Sequence, residues 1–296
     1  MSSIAIRVVN VLAVLAVFVV NGLSNYTTRS GTNPWGGVPI GKVSDAYPTP
    51  LTPAGYTFAI WGVIYTGLAV YAVAQCIYPD TFALLTPANA WVDRFLFLVA
   101  AGFNIAWDEC FTRAVTPAGK LRTGYVLASL ALLVLMVIAL YTFTSKLMTA
   151  IHAPNTPLPV TAMNHDVGEM LTHAFANRVL SGVLVATFVL YCAWTTIASV
   201  LNVWSAALDG TQPPWSADVT HVAIATLIVL GTAWCVFVPT VHVPVFPLLS
   251  ALVYAAVFVW AAVGIGVKAT DGVRITAYVM AAVVAVVSVG VIVGRR

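Results

Sequence analysis

Of the 296 residues, 60% are hydrophobic and 8% are charged, against roughly a quarter charged in soluble domains, and the mean hydropathy of +0.95 excludes an ordinary water-soluble fold. The formal charge of +3, from 13 Lys and Arg against 10 Asp and Glu, is thinly spread, which excludes a nucleic-acid surface or a polybasic membrane-binding patch.

Eight apolar stretches follow one another, near residues 4–24, 55–76, 91–112, 121–145, 178–206, 217–238, 244–267 and 273–294. Each approaches the roughly 20 residues that cross about 30 Å of hydrocarbon as a helix. Irregular backbone cannot face lipid, so the expected fold class is all-α, a polytopic membrane helical bundle. The first stretch is expected to be a retained helix, because NGLSN at 21–25 is a poor small-residue cleavage site. Lys and Arg divide six against seven between the two sides of an eight-helix arrangement, so the positive-inside rule assigns no orientation.

Between the first two stretches, SNYTTRSGTNPWGGVPIGKVSDAYPTPLTP is rich in Gly, Pro, Ser, Thr and Asn and reads as a folded-over loop or lid. Its Trp35 and Tyr47 suit either the headgroup level or a cavity mouth. The second stretch carries Phe58, Trp61 and Tyr65 at i, i+3 and i+7, one face of a helix, while Gly55 and Ala59 form a small-x-x-x-small pair expected to admit a neighbouring backbone.

The third stretch repeats the spacing with Asn104, Trp107 and Phe111. An amide in hydrocarbon needs a partner, so Asn104 reads as interhelical glue or as a ligand contact. Asp108 and Glu109 follow, near the expected exit from the membrane, and Arg113 at i+4 from Glu109 predicts an interfacial salt bridge. Residues 146–177 begin as a Pro-rich loop and turn into a polar helical segment leading into the fifth span. That segment places His165, Glu169 and His173 on one face at no known metal spacing, so a solvated or interfacial face is expected there.

In the fifth stretch Tyr191, Trp194, Ala198 and Asn202 step along one face at i, i+3, i+7 and i+11. The last three stretches are dominated by Val and Ala and read as packing elements. Cys76, Cys110, Cys192 and Cys235 stand apart and read as small buried hydrophobes, without disulfide or zinc spacing. No nucleophile with a base, phosphate loop or paired catalytic carboxylates can be assembled, so no catalytic residue is named and an enzyme is not the expected class.

With these residues in hand, the chain resembles the TspO/MBR family of tryptophan-rich sensory proteins and translocator proteins, the peripheral-type benzodiazepine receptors. The resemblance covers roughly residues 4–206. Pro53, Gly55, Phe58, Trp61 and Tyr65 look like the family's second-helix entry. Asn104, Trp107 and Phe111 look like its third-helix core, and Tyr191, Trp194, Ala198, Leu201 and Asn202 like its fifth-helix run.

The resemblance implies a five-helix domain over 1–206 with a three-helix extension over 207–296. It also implies an aromatic-lined pocket for a hydrophobic or tetrapyrrole ligand, porphyrin or haem, that is sensed or transported. The ligand-binding set it implies is Phe58, Trp61, Tyr65, Asn104, Trp107, Phe111, Tyr191, Trp194, Ala198 and Asn202.

Three positions depart from the family pattern. Asp108 stands where the family often has Ser, Leu190 stands where a proline commonly precedes the tyrosine, and LNVWSAALDG lacks the basic residue of the sterol-recognition stretch. Two other classes stay open. One is a structural subunit of a larger membrane complex, with the last three helices facing a second copy or partner helices. The other is a transporter, with Asp108, Glu109, His221 and His242 as its only handles. The expected location is a bacterial inner membrane or an organelle membrane, multi-pass, with lipids as the surrounding partner.

Overall fold

The structure, a computed structural model, describes residues 3–26, 28, 31–77, 90–152, 167–240 and 247–294. Among these residues the elements in chain order are α1 (Ser3–Asn25), a short α2 (Ile40–Ala46), a 3-10 turn (Gly55–Ala59), α3 (Ile60–Ile77) and α4 (Ala90–Thr112). They continue through α5 (Thr123–His152), α6 (Val167–Leu208), α7 (Ala217–Thr240), α8 (Pro247–Lys268) and α9 (Asp271–Gly294). Among the described residues, eight spans are long and apolar enough to cross a bilayer. The protein is a multi-pass integral membrane protein built as a helical bundle.

The helix ends follow ordinary capping physics. Ser216 Oγ accepts from the Val219 amide at 3.2 Å at the start of α7, and Asp218 and Asp271 lie in the first turns of α7 and α9. Between α4 and α5 the chain reverses in a tight turn where Gly119 takes φ +79, a value that costs little without a Cβ.

The first five spans close a ring in which α1 packs on α3 and α4, α3 on α6, α6 on α5, and α5 on α4. The last three form a layer on one side of it: α8 packs on α6, and α7 and α9 pack on α8 and on each other. One hydrophobic cluster runs from Val14 and Val17 of α1 to Phe258 of α8 and Val284 of α9. Polar bonds tie helices together inside it, as Asn10 Nδ2 to Gln75 Oε1 at 3.0 Å, Ser129 Oγ to Asn202 Oδ1 at 3.2 Å and Trp234 Nε1 to the Tyr254 carbonyl at 2.8 Å. Each supplies the partner that a buried polar group in hydrocarbon requires.

Three expectations from sequence change here. The second span is not one α-helix, since Phe58 lies in the 3-10 turn before α3 begins at Ile60. Gly55 and Ala59 are exposed and admit no backbone. Close approach falls elsewhere: a Cβ on Gly67 would lie 2.3 Å from Thr187 Oγ1 of α6, and one on Gly264 of α8 would lie 2.1 Å from Thr57 Oγ1. Cys192 is buried as expected, whereas Cys76 is exposed. His165 and His242 lie outside the described residues, as do the side chains of Glu169 and His173.

Candidate functional site

The loop after α1 is a folded lid. Asn33 Oδ1 accepts from the Gly37 amide at 2.7 Å and the Trp35 amide at 3.2 Å, an Asx arrangement that closes the chain into a turn. Trp35 Nε1 donates to Ser24 Oγ at 3.3 Å, and the Val38 amide donates to the Thr112 carbonyl at 2.8 Å. The lid is thereby joined to the ends of both α1 and α4. Its α2 presses Val43 inward, and Tyr47, 1% exposed, donates to the Ala114 carbonyl at 3.2 Å while accepting from the Arg122 amide at 2.9 Å. Burial raises the Tyr47 pKa above its ordinary value, partly offset by the bond from Arg122, with Asp209 adding to the rise.

Beneath the lid the three aromatic stripes meet. Trp61 is the centre: its ring lies 5.2 Å from Trp107, 5.6 Å from Tyr65, 6.0 Å from Tyr191 and 6.3 Å from Trp194. Trp107 stacks on Phe111 at 5.7 Å, and Phe58 meets Trp194 edge-on at 6.3 Å. These separations are those at which ring pairs attract beyond simple burial. Ala198 and Asn202 continue the α6 face and, with Ser44 of the lid, line the small cavity left between the rings, about 30 Å³. That is room for about one or two water molecules, whereas small-molecule pockets run to about 300–1,000 Å³. All ten residues named from the sequence therefore stand at or beside one cluster, and the rings fill it with one another.

At the edge of the rings lies a polar centre that the stripes did not reveal. Asn21 of α1 donates to Asn104 Oδ1 at 2.9 Å and to the Val17 carbonyl at 2.9 Å, and the Tyr65 hydroxyl donates to Asn21 Oδ1. The Asn104 oxygen is thus interhelical glue while its Nδ2 has no hydrogen-bond partner. The Trp107 and Trp194 indole nitrogens are likewise buried without partners. Asn10 and Asn21, eleven residues and so about three turns apart with only apolar residues between them, were the signal that α1 carries a polar inner face.

Asp108 and Glu109 part company. Glu109 forms the expected ion pair with Arg113. Asp108 turns inward: it is 0% exposed and neither carboxylate oxygen has a hydrogen-bond partner.

Larger hollows lie elsewhere among the described residues, and two of them are well defined. One, about 540 Å³, opens among Pro48, Pro50, Pro214, Trp215 and Lys268. The other, about 560 Å³, is an apolar groove on the outer side of α3 and α6, lined by Gly62, Thr66 and Leu190. Neither is lined by a ring of the cluster.

A family model described as TSPO-like protein matches residues 7–290. The chain belongs to the TSPO-like protein family. The match takes in the last three helices of this TSPO-like chain as well as the five-helix ring. No curated protein and no solved structure matches it.

Proposed function

We propose that this TSPO-like membrane protein binds a flat, hydrophobic conjugated ligand of the tetrapyrrole class among Trp61, Trp107 and Trp194, beneath the lid. The observation that carries the reading is the convergence of rings from three helices on Trp61, together with indole and amide donors that lack partners. A macrocycle entering the cluster replaces ring-on-ring contacts by ring-on-ligand contacts of the same kind and brings acceptors to those donors. Because the rings leave only about 30 Å³ between them, binding requires them to separate, with Phe58, half-buried in its 3-10 turn, the least enclosed of the tryptophans' neighbours. Such a site serves sensing or transport of the ligand.

Tryptophan fluorescence tests the reading. Saturable quenching by protoporphyrin IX or its dimethyl ester in lipid nanodiscs, weakened when Trp107 or Trp194 is replaced by Phe, is the expected result. Quenching that is absent, or that no single tryptophan replacement alters, rules out this cluster as the binding site.

A second reading has the small cavity in its favour. Rings that fill their own space suit a structural subunit of a membrane complex, and purification with a fixed set of partner subunits, without quenching, would select it.

A further inference from the structure

We infer that Asp108 makes the cluster selective for charge: of two flat ligands with the same ring, it favours the one that carries a protonated nitrogen and disfavours the one that carries a carboxylate. The inference rests on the ligand-binding reading above and names the ligand chemistry that reading leaves open.

Asp108 follows Trp107 directly and stands one turn beyond Asn104 on α4, so it shares the inward side of that helix. Ser24 of α1 is its polar neighbour, and Tyr65, whose ring stacks on Trp61, lies within its electrostatic reach. The nearby cation, Arg113, forms its ion pair with Glu109 instead. A carboxylate at 0% exposure with neither oxygen in hydrogen-bond geometry is costly to bury, because only the neighbouring Ser24 hydroxyl and the field of Arg113 offset the water it has lost. A cationic or N–H donor group on a ligand removes that cost by a charge-assisted hydrogen bond, while a ligand carboxylate placed there adds like-charge repulsion. The unpartnered Asn104 and Trp107 donors alongside can donate to lone pairs on the ring, so the site asks for acceptors in the ring and a donor at its edge.

The test uses one macrocycle in three charge forms: protoporphyrin IX, its neutral dimethyl ester, and the bis-amide of ethylenediamine, which carries two ammonium groups. Each is titrated by tryptophan quenching into the full chain in nanodiscs of zwitterionic lipid. The expected order is ammonium over ester over carboxylate, with about tenfold or more between the two ends. Asp108→Asn, matched in shape, is expected to compress that range below about threefold, and Asp108→Ser to do the same. Asp218→Asn, which removes an equal charge at the exposed start of α7 and leaves the Arg113–Glu109 pair in place, leaves the range intact.

Equal affinity for the three forms in the unaltered protein, or a preference that survives both Asp108 substitutions, overturns the inference while leaving the pocket standing. Binding of none of the three overturns both.

Discussion

Trp260 Nε1 of α8 donates to the Thr57 carbonyl at 2.9 Å, joining two residues 203 positions apart. Around that bond the Ala54 amide donates to the Gly264 carbonyl at 2.9 Å, and Tyr56 meets Trp260 edge-on at 5.5 Å. The 3-10 turn that carries Phe58 to the rings is therefore held by α8. Gly264→Val is expected to force α8 away from Thr57, since even a Cβ there would lie 2.1 Å from Thr57 Oγ1. The expected loss is about 1–3 kcal/mol, read as a lower detergent melting temperature together with weaker porphyrin quenching. Trp260→Phe, which removes chiefly the hydrogen bond, is expected to cost about 1 kcal/mol. A melting curve unchanged by Gly264→Val would mean that α8 does not brace the turn.

Asn21 is the hub between α1, α3 and α4. Asn21→Leu strands the Tyr65 hydroxyl and removes the Asn104 oxygen's donor at once, so it is expected to destabilise by more than Tyr65→Phe, which removes one bond and its donor together. The difference should be about 1–2 kcal/mol, measured by thermal or denaturant unfolding of the two variants side by side. Equal losses would show that the hub bonds are not coupled.

Gly67 and Thr187 set the distance between α3 and α6. Gly67→Ala is expected to cost about 1–3 kcal/mol, because its new methyl would stand 2.3 Å from Thr187 Oγ1. Part of that loss should return in the Gly67→Ala, Thr187→Ala pair. A double-mutant cycle with no coupling energy would place the strain elsewhere.

Tyr47 latches the lid to the α4–α5 connection. Its pKa is raised, chiefly by burial, so its folded-state value lies above the unfolded value near 10. The sign follows from linkage: the contribution is fully present below about pH 10 and is lost as pH rises through the raised folded value. Tyr47→Phe is expected to lower stability at neutral pH by about 1–2 kcal/mol through the lost bonds to Ala114 and Arg122. The variant should also flatten the alkaline decline in melting temperature. A decline of undiminished steepness in the Phe variant would assign it to another group.

Much of this site was legible because membrane helices have a strict period. Trp61, Trp107 and Trp194 each belonged to a face repeated at i, i+3 and i+7, and a face with rings in three helices can be buried only if the helices bring them together. Phe58 fitted the same spacing yet belongs to a 3-10 turn, because the chain there is shaped by Thr57 against Gly264, a contact no local pattern announces. The same limit hid Trp260: bonds across 203 residues leave no periodicity. The acids at 108 and 109 look alike as a pair, but successive helical residues point about 100° apart. Asp108 lies four beyond Asn104, a spacing that puts it on the same side of the helix, which the interfacial reading of the pair passed over.

The seam between α6 and α8 bears on which sides of the protein a neighbour in the membrane could touch. A surface covered within one chain is closed to a neighbour, and α8 with its flanking α7 and α9 stands against the outside of α6. Any contact between copies would use the sides that this packing leaves open, among them those of α1, α3, α5, α7 and α9, where Leu15, Val63, Ile138, Val229 and Val286 are exposed. The added layer thus works by subtraction, removing one side of α6 from those that a neighbour in the plane of the membrane could reach.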